Sequence, residues 1–186
     1  MNKVSKSGGL DPSTEAILTH WREAVPNDRL AHLIRDAARG LTRALQFRLS
    51  EHSVSFGHWV FLRILWERDG LTQRELSIEA SLMEPTTHSA ILKMEKLGYV
   101  TRRQEGGDRK RMQVYLTEHG RQLRDVLVPL AEEVNARAVL DVPPGDVETT
   151  RRTLLAMIHN LAADETEVVD QGLRITPTRE QAVKPA

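Results

Sequence analysis

Three consecutive cations, Arg109, Lys110 and Arg111, follow Asp108 just after the pair Gly106-Gly107, and the chain then alternates apolar side chains at Met112, Val114 and Leu116. Cations crowded on a glycine turn repel one another unless an anion shares them, so this stretch is suited to reaching for phosphate. Asp108 is out of place on a surface made only for polyanions. It makes better sense as a brace that orders a neighbouring cation within the turn. From 102 to 111 the cations Arg102, Arg103, Arg109, Lys110 and Arg111 oppose Glu105 and Asp108, a local charge of +3. A second set precedes the turn: Gln73, Arg74, Pro85, Thr86, His88, Ser89 and Lys93. Short hydroxyls and the free N–H groups of a helix start can reach phosphate, sugar and base edges. A solvated hairpin tip would share the composition of the turn, so the surrounding elements decide.

Those elements read as follows. Asp11-Pro12-Ser13 starts a helix with Ile17, Trp21 and Val25 at helical spacing, and Pro26-Asn27-Asp28 ends it. Residues 29–50 repeat apolar side chains at Leu30, Leu33, Ile34, Ala37, Leu41 and Leu45, with Arg35, Arg39, Arg43 and Arg48 off that stripe. Residues 55–68 are apolar on most sides, as a central core helix would be, and Asp69-Gly70 stops them. Leu71 makes a brief extended link. Thr72 and Glu75 have capping-box spacing. A short helix through Ala80, a turn at 81–83 and a second helix from Glu84-Pro85 to about Leu97 make a helix-turn-helix. On the second helix Thr87, Ala90, Ile91, Met94 and Leu97 are expected to face inward. Gly98 is placed to cap it. Residues 99–104 and 112–117 read as the two strands of a hairpin. Thr117 then caps a long helix carrying Leu123, Leu127, Leu130 and Val134, with Pro129 expected to bend it. Pro143-Pro144-Gly145 breaks the chain before a last helix at 146–163. A helical hairpin followed at once by a β-hairpin is the order of a winged helix, and in that order the cationic turn belongs to a wing that contacts DNA.

The 186 residues carry no net charge, with 40% hydrophobic and 4% aromatic content, which suits a mainly helical globular protein. Neutrality excludes a uniformly basic coat, so any nucleic acid must meet a local patch. The absence of cysteine removes disulfides, thiolate metal sites and thiol catalysis, and a reducing cytoplasm suits such a chain. No apolar run approaches the roughly 20 residues that span a bilayer, so no membrane partner is expected. The histidines at 20, 32, 52, 58, 88, 119 and 159 show no HExxH spacing, and neither a phosphate loop nor a Gly-x-Ser-x-Gly elbow occurs. No catalytic residue, metal ligand or cofactor is assigned.

"LTQRELSIEASLMEPTTHSAILKMEKLGYVTRR" joined to "DRKRMQVYLTEHG" resembles the MarR family of bacterial transcriptional regulators, with similarity over roughly residues 30–163. The resemblance implies a mainly α winged helix with a small β-hairpin, working as a two-fold homodimer on a pseudo-palindromic operator of double-stranded DNA. Repression is the commoner mode. The usual wing pattern is Asp-x-Arg, and Lys110 stands where the family's minor-groove arginine would, flanked by Arg109 and Arg111; any of the three is a candidate for the groove. The helix at 13–25 is an extension that only some members carry. The resemblance also implies a small aromatic acid effector, such as a hydroxybenzoate or pyridine carboxylate, in a cleft between the dimer helices and the winged helix. Candidate contacts are His20, Trp21, Arg39, Arg43, His58, Trp59 and Arg63, although Trp59 and Trp66 also suit an ordinary core.

The expected organisation is a disordered N-terminus at 1–12, N-terminal and dimerisation helices at 13–50, the winged helix at 51–117, C-terminal dimerisation helices at 118–165 and a flexible tail at 166–186. A regulator of the same fold answering to a metal through His and Glu ligands is the alternative reading. A small enzyme without a recognised motif is a remote one.

Overall fold

The computed structural model describes residues 15–19, 30–104 and 112–172. Residues 15–19 are helical (α1). Then follow α2 (Leu30–Ser50), α3 (Phe56–Glu67), β1 (Leu71–Thr72), α4 (Gln73–Glu79), α5 (Glu84–Lys96), β2 (Val100–Gln104), β3 (Met112–Leu116) and α6 (Glu118–Ala138). A second compact unit, residues 139–186, contains α7 (Pro144–Asp170).

Within the first unit one core gathers Leu49 from α2, Phe61, Leu62 and Leu65 from α3, Leu76 from α4, Ile91 and Met94 from α5, Val114 from β3 and Leu127 from α6. Each helix contributes the face that its apolar spacing dictates, and α3, buried at Trp59, Phe61, Leu62 and Leu65, is the element around which the others close. The local signals work as expected. Ser55 accepts from His58 N–H at 3.2 Å to start α3, and Thr72 and Glu75 form a complete capping box on α4. Arg48 reaches Glu133 at 3.3 Å, tying α2 to α6 across a half-exposed gap.

The hairpin gains a third strand, in the order β1-β3-β2, all antiparallel, with Leu71 opposite Val114 and Arg103 opposite Gln113. What read as a short link at Leu71 pairs because Gly70, at φ +77°, turns its N–H onto Val114 O at 3.1 Å. Asp69 adds a bond, its Oδ1 accepting from Leu116 N–H at 2.8 Å. Gly70 also lies against the Tyr115 ring, where a Cβ would come within 2.7 Å of the aromatic carbon.

The start of α6 is the tightest junction. Thr117 N–H donates to Tyr99 O at 3.0 Å, Thr117 Oγ1 accepts from Gly120 N–H at 3.0 Å, and the same hydroxyl lies 2.5 Å from Gly98 O. Trp66 Nε1–H donates to Gly120 O at 2.9 Å. A Cβ on Gly120 would stand 2.0 Å from the Tyr99 carbonyl oxygen.

Two expectations need correction. Leu97 is 45% exposed rather than inward: the chain leaves α5 through Gly98 at φ +73°, and Tyr99, buried, fills the space beneath. The last helix runs on to Asp170, because the acidic run at 164–167 is tolerated in a helix and the left-handed turn comes only at Gly172. On α2 the stripe is buried only at Leu45 and Leu49; Leu30, Leu33 and Leu41 are exposed. Exposed too, within the second unit, are Leu154, Leu155, Ile158 and Leu161 of α7.

Gly120→Ala must push the start of α6 off the β2 carbonyl. We expect a loss of about 3 kcal/mol in urea unfolding, with a midpoint unchanged from the wild type contradicting the geometry.

Candidate nucleic-acid interface

α5 is two-faced. Thr87, Ile91 and Met94 are buried, whereas Pro85, Thr86, His88, Ser89 and Lys93 are exposed, as their spacing predicted. The sequence reading missed Lys96, which is also exposed and stands three residues after Lys93 and seven after Ser89, on the same side of the helix. That spacing was the available signal. No side chain caps α5, and Pro85 sits in its first turn, so the orphan donors of that turn have no side-chain acceptor from the N-cap residue Met83. Such a helix end favours an anion.

α4 braces this face. Gln73 is its first residue, and Gln73 Oε1 lies 3.0 Å from His88 Nδ1 on α5. Arg74 is exposed beside it.

On the hairpin, Arg103 is exposed with its guanidinium 5.7 Å from the Tyr115 ring centroid, a cation–π contact that holds the head at the sheet surface. Arg102 behaves differently. It pairs with Glu95 of α5 at 2.8 Å, and Glu95 also accepts from the Arg102 backbone N–H at 3.2 Å. The hydrogen bond from the Arg102 side chain holds the Glu95 carboxyl below its ordinary range. Arg102 is therefore neutralised within the fold, and the local charge expected from the 102–111 stretch is reduced by one. Asp108, Arg109, Lys110 and Arg111 lie outside the described residues.

The candidate ligand contacts separate into groups. Trp59 and Arg63 line a cleft of about 300 Å³ between α3 and α6, with Trp66, Arg124 and Glu132. Trp59 is 5% exposed and meets Trp66 edge-on at 5.6 Å, so it serves the core as well as the cleft wall. Arg39 and Arg43 line a separate depression of about 580 Å³ on α2, beside Arg35 and Phe47. His58 turns elsewhere, edge-on to Tyr99 at 6.2 Å. Its Nδ1 is buried without a hydrogen-bond partner, and burial first, then the Lys93 charge, pushes its pKa below the usual histidine value. His20 and Trp21 lie outside the described residues. Among the described residues no group of His, Asp and Glu side chains could hold a metal ion, and no helix is long and apolar enough to cross a membrane.

A helical hairpin whose second helix presents a polar face, backed by a three-stranded sheet, defines a winged helix-turn-helix protein. Residues 54–112 match the MarR family model. Among curated proteins it is similar to the HTH-type transcriptional regulator TtmR of Methylorubrum extorquens (strain PA1), 26% identical over 98 residues, covering 53% of this chain and 50% of that protein. It is also similar to the organic hydroperoxide resistance transcriptional regulator of Bacillus subtilis (strain 168), 24% identical over 103 residues, 55% of this chain and 70% of that one. The chain thus spans half the length of the first relative. Among solved structures, a MarR family transcriptional regulator from Listeria monocytogenes complexed with 26mer DNA superimposes with a TM-score of 0.67 at 23% identity, over 81% of this chain and 99% of that one. A Mycobacterium tuberculosis MarR family protein in complex with salicylic acid gives 0.58 at 22%, over 73% and 98%. The named relatives are regulators of transcription rather than enzymes.

The lowered His58 pKa has a defined sign. A folded value below that of the unfolded chain means that the histidine's contribution is fully present above about pH 6.5 and is lost as pH falls from there toward the folded value. His58→Leu should therefore show a smaller drop in urea midpoint between pH 7.5 and 5.5 than the wild type. An equal drop would remove His58 from the acid response.

Proposed function

We propose that this protein is a sequence-specific double-stranded DNA-binding transcriptional regulator, a homodimeric repressor released by a small aromatic acid. The observation that carries the reading is α5: one face locked into the core by Thr87, Ile91 and Met94, the other offering Pro85, Thr86, His88, Ser89, Lys93 and Lys96 to solvent. A helix so held can enter a major groove as a rigid body, with hydroxyls and imidazole toward base edges and lysines toward phosphate. Gln73, Arg74 and Arg103 extend the polar surface, and one of the cations Arg109, Lys110 and Arg111 supplies the minor-groove contact. The Listeria relative solved with DNA supports the assignment.

Dimerisation is inferred from what a single chain leaves uncovered. Leu30, Leu33 and Leu41 on α2, and Leu154, Leu155, Ile158 and Leu161 on α7, are large apolar side chains in water, the pattern of a surface that a second copy buries. Two copies place two reading helices on half-sites about one helical turn apart.

For the effector, the cleft between α3 and α6 has the right chemistry. Tryptophan rings at 59 and 66 offer apolar walls and Arg63 and Arg124 offer cations for a carboxylate. The Mycobacterium neighbour holding salicylic acid supports this class of ligand. A ligand that prefers one spacing of the two reading helices shifts the population that fits DNA.

Replacing Lys93, Lys96 or Lys110 singly by alanine should each flatten the dependence of log affinity on log salt by about one unit, measured by gel shift at several salt concentrations. An unchanged slope would take that residue off the phosphate backbone. Salicylate at millimolar concentration should raise the melting temperature of the wild type, and Arg63→Ala should abolish the rise; a rise that survives in the variant would place the acid elsewhere.

A further inference from the structure

Gln73 and His88 come from different helices and meet at the exposed reading surface, at 3.0 Å between Gln73 Oε1 and His88 Nδ1. A carboxamide oxygen has no proton to give, so the imidazole must donate, and Nδ1 carries the hydrogen. In the neutral ring that leaves Nε2 as a bare acceptor. We propose that the pair acts as one base reader: Gln73 fixes the His88 tautomer, and the Nε2 lone pair accepts from the exocyclic amino group of adenine or cytosine in the major groove. This rests on the operator-binding reading and deepens it.

The rest of the surface supplies mainly donors or groups already engaged. Lys93 and Lys96 only donate. Glu75 is held by Thr72 and Glu95 by Arg102. Glu84 is exposed at the start of α5, and its negative charge sets it against phosphate rather than close to a base edge. The hydroxyls of Thr86 and Ser89 rotate between donating and accepting, so His88, held by Gln73, is the neutral acceptor fixed by a neighbouring side chain. Adenine N6 and cytosine N4 are the amino donors that the major groove displays, whereas guanine and thymine present acceptors there and would face the lone pair with lone pairs of their own. The carboxamide nitrogen of Gln73, with two hydrogens not needed for His88, is available to the neighbouring phosphate, which would lock reader and backbone in one register.

The test is enrichment of a randomised duplex library by the full-length wild type, Gln73→Ala and His88→Ala, each checked for folding by circular dichroism. The wild type should select a site in which one position of each half is confined to adenine or cytosine. Both variants should relax that same position by about fivefold and leave the others as they were. In the free protein, long-range proton–nitrogen spectra should show the Nδ1-protonated tautomer of His88, lost in Gln73→Ala. Full retention of the preference by Gln73→Ala, or a proton on Nε2 in the free wild type, would overturn the pairing while leaving operator binding intact. Failure of the wild type to enrich any duplex would overturn operator binding itself, and this inference with it.

Discussion

The approach of α6 to the end of β2, where Gly120 lies against the Tyr99 carbonyl, governs the rest of the winged helix. No side chain fits between those two backbones. Thr117 closes the same contact with its own N–H and hydroxyl, and Trp66 reaches across from α3 to the Gly120 carbonyl. The strand that leaves α5 and the helix that follows the hairpin are thereby pinned to each other and to the core helix. Asp69 adds a second tie on the other side of the sheet, bonding Leu116 N–H and pairing with Arg121 of α6 at 3.5 Å. With both ends of the hairpin held, the polar face of α5 keeps a fixed attitude relative to the strands. A rigid reader needs this, because base contacts are lost when a side chain is an ångström out of place.

Charge is handled in a way that the neutral composition conceals. Acidic side chains inside the fold take up the arginines that brace elements: Arg102 by Glu95, Arg48 by Glu133, Arg121 by Asp69 and Arg68 by Glu79. Such half-exposed pairs contribute little stability each. Their effect is positional: they tie α5 to β2, α2 to α6 and the end of α3 to α4. Lys93 and Lys96 stand out on the reading surface, so a protein with no net charge still presents a positive face where α5 is exposed.

What could be read from the sequence was local. Thr72 with Glu75, Gly98 after α5 and Thr117 before α6 announce helix ends through bonds spanning three or four residues, and the structure places each as its spacing implied. The alternation at Met112, Val114 and Leu116 gave β3. Contacts between distant segments were hidden. Leu71 pairs with Val114, 43 residues on, and nothing near Leu71 signals it. Glu95 and Arg102 flank a turn whose shape decides whether they meet, and Leu97 has helical spacing for burial but sits where the chain turns away. The ligand residues show the same limit. Arg39, His58 and Trp59 read as one aromatic and cationic set along the chain, while in the fold they point to three different places. Lys96 escaped attention because a lysine in the last turn of a helix already has a sufficient reason to be there, the helix dipole.

The central claim is that the exposed face of α5, with the first residues of α4, is the surface that meets DNA. Amide hydrogen exchange of the full-length protein, with and without a bound duplex selected from a random library, addresses it most directly. Slowed exchange concentrated at residues 73–74, 84–96 and 105–111 is the result expected. Slowing confined to α2 or α7, with α5 exchanging as in the free protein, would contradict the account.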